Sequence, residues 1–309
     1  MNIEYIGEAL VFGKIGNLLI AVAFVGALLA GISYYLGFKN ESESASWKKL
    51  GRTAFIIHAF AVVGIFSLLY YLIFTHRFEY YYVWQHSSKI LPWQYIFASF
   101  WEGQEGSFLL WTFWHIILSL FIIRKAGFWE SPVMVTICMV QVFLVSMVLG
   151  VNIFEYKIGT NPFVLLREHP DMANLPFIKM PDYLQRIDDG RGLNPLLQNY
   201  WMVIHPPVLF LGFASTLIPF AFAMAGLMSG KVKEWTAVAI PWSFFGIMAL
   251  GTGILMGAAW AYEALSFGGF WAWDPVENAS LVPWLTFVGA GHVMMINRKN
   301  GSTLISSFL

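Results

Sequence analysis

"PVMVTICMVQVFLVSMVLGVNI", residues 132–153, decides the fold. Its 22 residues carry no charge. As a helix rising 1.5 Å per residue, such a run crosses a hydrocarbon core about 30 Å thick. Lipid offers no water to backbone N–H and C=O groups, so a spanning segment is either a helix or a strand of a closed barrel. Barrel strands alternate apolar and polar residues, and this run does not. It reads as a transmembrane helix.

Six further runs of the same kind flank it, at 15–37, 53–74, 106–123, 206–228, 238–260 and 281–296. Composition agrees: 58% of the 309 residues are hydrophobic and only 12% are charged, about half the share in soluble domains. The expectation is an all-α polytopic integral membrane protein, a helical bundle with amphipathic interfacial segments. "MNIEYIGEALVFGKIGN" has no basic region before the first run, so that run reads as a retained helix, not a cleaved signal. "STLISSFL", from Ser302, reads as the start of an eighth span that breaks off, and the chain as part of a longer one. The single cysteine, Cys138, lies inside an apolar run; it excludes an internal disulfide and reads as a packing residue.

Charge orients the spans. The loops 38–52, 124–131, 229–237 and 297–302 together hold ten Lys or Arg and four acids. The opposite loops are longer and hold eight basic and fourteen acidic residues. The positive-inside rule puts the first set in the cytoplasm. The N-terminus and the segments 75–105, 154–205 and 261–280 then face outward.

One outward segment stands apart. "FGGFWAWDPVENASLVPWL", residues 267–285, crowds aromatics against a Gly-Gly pair and then offers two acids. Interfacial Trp and Tyr form belts, which accounts for Trp84, Trp93 and Trp129. A belt needs neither Gly268 and Gly269, which let backbone turn or approach a ligand, nor Asp274 and Glu277. Asp274-Pro275 with Glu277 three residues on is also a helix-start pattern, so capping and ligand contact both remain open for these acids.

Two of the seven histidines are candidate iron ligands. His205, in "YWMVIHPPVLFLGF", sits where the fifth span begins, with Pro206 and Pro207 expected in its first turn. His292 lies about 16 Å into the seventh span, near the midplane, where ionisable groups are functional by default. A neutral imidazole ligates haem iron. His58 and His115 also lie within spans and read equally as packing or hydrogen-bonding residues. "GTGILMG" at 251–257 reads as close helix packing. No nucleotide loop, HExxH motif or thiol cluster appears, and nothing points to nucleic acid.

"WAYEALSFGGFWAWDPVENASLVPWL" closely resembles the WWD signature of the haem-handling proteins of cytochrome c biogenesis. "LPWQYIFASFWEGQEGSFLLW" at 91–111, "LNPLLQNYWMVIHPPVLFLG" at 193–212 and "INRK" after the seventh span make the CcmF-type haem lyase subunits the best match. The resemblance implies a layout: residues 1–260, a transmembrane bundle with outer loops 75–105 and 154–205; residues 261–285, the WWD haem-binding loop on the extracytoplasmic side; residues 281–309, the following helix and the start of the next. It implies multi-pass insertion in a bacterial inner membrane with N-terminus and WWD loop periplasmic. It also implies a role: haem received from a haem chaperone lies on the WWD surface while an apocytochrome c offers its CxxCH thiols for thioether attachment, alongside other haem lyase subunits and membrane lipids.

By residue, the resemblance makes His205 an outer iron ligand and His292 a ligand of an intramembrane haem b, each with its partner histidine beyond residue 309. Phe270, Trp271, Trp273, Gly268, Gly269, Asp274 and Glu277 would position the ring. Glu102, Gln104 and Glu105 would form a further wall of the cavity or cap the span at 106, and on charge alone Arg186 and Arg191 are candidate partners for propionates. The rival readings are a nitrite-reductase-specific or CcsA-type haem lyase or exporter, a polytopic transporter, and a membrane b-type electron-transfer subunit.

Overall fold

The computed structural model describes residues 5–154, 156–266, 269–301 and 303–308. Within them seven helices are long and apolar enough to cross a membrane. They are α1 (Leu10–Lys39), α2 (Ser44–Phe74), α5 (Gln104–Lys125), α6 (Glu130–Leu149), α8 (Tyr200–Ser229), α9 (Trp235–Ala264) and α10 (Pro275–Asn300). Three short helices lie between them: α3 (Tyr81–His86), α4 (Trp93–Ala98) and α7 (Pro170–Ala173). The chain is a multi-pass, helical membrane protein, and each of the seven full-length expected spans falls on one of the seven long helices, while the start of an eighth expected from Ser302 is a run of turns over residues 303–308.

The ends moved, for local reasons. α6 stops at Leu149 because Gly150 turns the chain at φ 70°. The expected last turn of that span is instead an antiparallel hairpin, β1 (Val151–Ile153) with β2 (Tyr156–Ile158). α8 starts at Tyr200, capped by the Asn199 side chain, which accepts from the Trp201 amide at 2.8 Å. Pro206 and Pro207 therefore lie inside the helix and not in its first turn, where each removes a rung of the i→i−4 ladder. α10 starts at Pro275. His292 consequently sits about 7 Å beyond the centre of its helix, still within core depth.

The residues fall into two compact units. The first comprises Met1–Phe24, Phe60–Leu109 and Leu144–Gln198. Here the buried hydroxyl of Tyr80 takes the amide of Gly13 (2.7 Å) and donates to the carbonyl of Ala9 (2.8 Å), fixing the start of α1. The segment after the hairpin has a small core of Leu166, Met172, Ile178 and Tyr183, against which Tyr81 and Trp84 pack. Trp84 is thus loop core, not belt.

The second unit comprises Val25–Ala59, Leu110–Phe143 and Asn199–Leu309. The Glu130 carboxylate, 1% exposed, takes both nitrogens of the Arg52 fork (2.7 Å each) and Lys48 (2.7 Å). That pairing, three nitrogens from two cations, is what a buried charge requires. Trp129 is buried beside it, while Trp93 in the first unit is 71% exposed and fits the belt expectation. Cys138 is fully buried against Gly31. α9 packs along α8 and also against α10.

Candidate functional site

The helix pair α8–α9 is held close by glycine. A Cβ at Gly253 would meet the backbone of Leu209 at 2.7 Å, and one at Gly257 would meet the His205 ring at 2.7 Å. The two glycines are one turn apart, so a single stripe of α9 accepts α8. On another side of α9, Gly251 faces the Trp284 indole of α10, whose Nε1 donates to the carbonyl of Ile247 at 2.9 Å. The "GTGILMG" stretch is thus the seat on which the histidine of α8 and a tryptophan of α10 rest.

His205 is half-buried, and its Nδ1 lies 2.8 Å from the carbonyl of Gly253. A carbonyl can only accept, so the proton is on Nδ1. In the neutral ring Nε2 then keeps its lone pair, the tautomer a metal ligand needs. The ring lines a cavity of about 200 Å³ together with Trp271, Asp274, Glu277 and Ser280.

The loop before α10 is built by its acids. Asp274 is the N-cap, accepting from the Glu277 amide at 2.7 Å, and Pro275 follows at the first helical position. Glu277 reaches back, its Oε2 accepting from the amides of Ala272 and Trp273 at 2.8 Å each. Asn278 adds a bond to the Trp273 carbonyl at 2.9 Å. This variant of the capping box, in which Glu277 takes the two amides before the N-cap, holds Trp273 at φ 60°, a left-handed conformation unusual for a bulky residue. Of the two roles left open for Asp274 and Glu277, capping is the one observed. The unusual backbone is at Trp273 and not at Gly269, which has ordinary φ and room for a Cβ. Gly268 lies outside the described residues.

With its backbone fixed this way, the loop shows its aromatic faces. Phe270 is 49% and Trp273 70% exposed. Phe270, Trp271 and Trp273 line an apolar groove of about 630 Å³ between α9 and α10, closed by Trp284, Leu255 and Met248. That volume suits a ligand the size of a large cofactor. Trp271 and Trp273 stand edge to face, 5.9 Å apart at 81°. One indole can therefore lie flat on a planar ligand while the other meets its edge. Trp271, Ile254 and Ala258 line both this groove and the His205 cavity, so they form the partition between the two. Among the described residues the buried Trp271 Nε1 and Glu277 Oε1 have no hydrogen-bond partner.

His292 stands elsewhere, exposed on α10, its Nδ1–H given to the Val288 carbonyl at 2.8 Å and its Nε2 outward. α10 is the least packed span: 17% of its most apolar stretch is buried, against 56% in α8. His58 and His115 are buried within helices. In the first unit, Glu102 binds His86 Nδ1 at 2.9 Å. His86 escaped notice because its partner lies sixteen residues on, in a different short element. Arg186 is paired with Asp182 at 3.1 Å, and Arg191 donates to Gln85 at 3.1 Å.

Comparison with known proteins bears on the same residues. The model of the Cytochrome C assembly protein family matches residues 101–308. The cytochrome c-type biogenesis protein CcmF of Pseudomonas fluorescens is 33% identical over 95% of this chain and 41% of its own length. The probable cytochrome c-type biogenesis protein NrfE of Escherichia coli K12 is 32% identical over 80% of this chain and 41% of its own. The fold matches a solved structure of the cytochrome c haem lyase CcmF with a TM-score of 0.75 at 24% identity, covering 100% of this chain and 46% of that one. The chain thus spans about two fifths of the length of these relatives. It belongs to the Cytochrome C assembly protein family.

Proposed function

We propose that a chain of this family with this site handles haem for cytochrome c maturation: the aromatic groove before α10 receives haem, and His205 is the iron ligand supplied from α8. The observation that carries the reading is the shared wall. A ligand-ready imidazole and an aromatic groove of cofactor size meet at Trp271, Ile254 and Ala258. The residues fit the group: an apolar lining, aromatic faces at two orientations, and a nitrogen with a free lone pair. The 200 Å³ beside His205 is too small for a porphyrin alone, so Trp271 must swing for ring and ligand to meet.

Bound haem would supply the iron and the two vinyl groups across which the CxxCH thiols of an apocytochrome c add, each S–H giving one C–S and one C–H bond. The protein's share is placement, which can supply much of a bimolecular rate. Trp271 and Trp273 set the plane and edge of the ring, Glu277 and Asp274 hold those indoles by fixing the loop backbone, and Gly257 leaves room for His205. The charge asymmetry of the loops supports a periplasmic site. His292, with Nε2 outward on the least packed helix, suits a ligand to an intramembrane haem b completed by a further segment. A haem chaperone, the apocytochrome and other lyase subunits are the partners this role requires.

The chain in lipid nanodiscs, titrated with ferrous haem, is expected to give a histidine-ligated spectrum. His205→Ala and Gly257→Val should each weaken binding about tenfold or more, the latter by overpacking the ring. An unchanged titration in both refutes the assignment. Orientation has its own test: Cys138 is fully buried, so Ala272→Cys in intact cells should react with an impermeant maleimide from outside; labelling only after lysis reverses the topology.

A further inference from the structure

At the end of α9 opposite to the aromatic loop, a second cavity of about 370 Å³ is lined by Lys233, Thr236, Ala237, Asn297, Arg298, Gly301 and Leu304. Three separate features there favour an anion. Lys233 and Arg298 are exposed and, among the described residues, neither has an acidic partner. Thr236 is in the first turn of a 30-residue helix whose N-cap, Glu234, makes no side-chain cap; the Ala237 amide is given to the Glu234 carbonyl at 3.3 Å, and the positive end of the helix faces the cavity at Thr236. Asn297 is 7% exposed and its Oδ1 has no partner, while its Nδ2 sits 3.5 Å from Thr236 Oγ1. Thr236 can equally donate to the amide oxygen, which turns the amide N–H₂ into the cavity as a buried donor.

The opposing charges are few. Glu234 is solvent-facing and paired with Lys231 at 3.6 Å. The carbonyl end of α10 is closed by Gly301, whose amide returns to Asn297 O at 2.7 Å. The cavity lies at the ends of two membrane-length helices, on the side rich in Lys and Arg, with Leu304 as its apolar wall and Ile305 79% exposed next to it.

We propose that this pocket binds a phosphate group: Lys233 and Arg298 take its charge, and the Asn297 amide and the positive end of α9 at Thr236 complete its surroundings. The same chemistry is offered by the headgroup of an anionic phospholipid and by a soluble phosphate, and the pocket is independent of the haem site.

The test uses the full chain in nanodiscs of phosphatidylcholine with or without phosphatidylglycerol, analysed by native mass spectrometry for retained lipid. A Lys233→Gln/Arg298→Gln protein should retain phosphatidylglycerol roughly tenfold less well than wild type. A Lys49→Gln/Arg124→Gln control, with the same charge loss on the same side, should match wild type. Asn297→Leu keeps both cations and should still lower retention. In phosphatidylcholine discs, ³¹P line broadening of inorganic phosphate that depends on Lys233 and Arg298 assigns the soluble source instead. Equal losses in the two double variants overturn the site, as does the absence of both signals from wild type.

Discussion

Two outer segments of this chain are poor in long regular structure, and they use their large side chains in opposite ways. The segment 160–191 turns inward. Tyr183 and Leu166 are fully buried in its own small core, and its charges are met locally: Arg167 by Glu8 at 2.8 Å, Arg186 by Asp182, Asp189 by Ser88. The segment 269–278 does the reverse. Its polar groups hold the backbone, and its large rings are left at the surface of a groove. A loop that exposes Trp273 while holding it at positive φ carries strain, and strain held by surrounding bonds is a mark of a functional site. Each segment holds three Phe, Trp or Tyr, but over 32 residues in the first and ten in the second; the destination of their polar groups separates them further.

The sharpest way to break the comparison is to cut the inward loop. The Glu8 side chain is 3% exposed and receives both Arg167 Nε (2.8 Å) and the Tyr183 hydroxyl (2.7 Å). Glu8→Ala leaves the Tyr183 phenol without its acceptor and the Arg167 guanidinium with only Glu168 at 3.1 Å, and should destabilise this segment by about 2 kcal/mol. Hydrogen exchange should rise across residues 160–187 while haem titration stays as in wild type. Loss of haem binding in this variant would mean the inward loop is part of the site.

Trp273→Gly sharpens the contrast from the other side. Relief of the left-handed strain, about 1–2 kcal/mol, is offset by the roughly 0.5–1 kcal/mol entropy cost of glycine. The ring is 70% exposed, so little packing is lost. Thermal stability should therefore change by less than about 1 kcal/mol, while haem retention falls about tenfold, the worth of roughly 1.5 kcal/mol of aromatic contact. A variant equally stable and equally able to retain haem would return Trp273 to the interfacial belt.

The spans were legible because length and apolarity act through lipid, whatever the tertiary neighbours. Their ends were less so. The Asp274-Pro275-x-Glu277 start could be read from local chemistry, but Asn199 as the cap of α8 was hidden behind Pro206 and Pro207, which announce a helix start yet lie in its interior. Of the candidate site, the sequence offered the residue types: His205 and the aromatic triplet line two neighbouring cavities with Trp271 common to both. The parts that escaped are long-range. That Gly253 and Gly257 seat His205 depends on which helix α9 meets, and periodicity does not carry that. That Gly269 is ordinary while Trp273 bends the chain depends on bonds from Glu277 and Asn278, each of which could equally have faced solvent.

The smallest test concerns charge. Burial alone would raise the Asp189 carboxyl, but the Ser88 hydroxyl (2.6 Å), the amides of Lys89 (2.8 Å) and Gly190 (2.7 Å) and the Lys89 charge outweigh it and hold the group below its usual 3.8. A carboxyl depressed in the folded state stabilises that state above its unfolded value and loses the contribution as pH falls through the folded one. Asp189→Asn should thus cost the inward loop a little at neutral pH, under about 1 kcal/mol because the carboxylate is largely solvated. The gap from wild type should close only below about pH 4, the ordinary aspartate range. If the gap closed instead as pH rose through the range below about 6.5, a histidine such as His76, which burial holds below its ordinary value, would be controlling this loop, and its charges would not be meeting one another in the way that sets it apart from the aromatic groove.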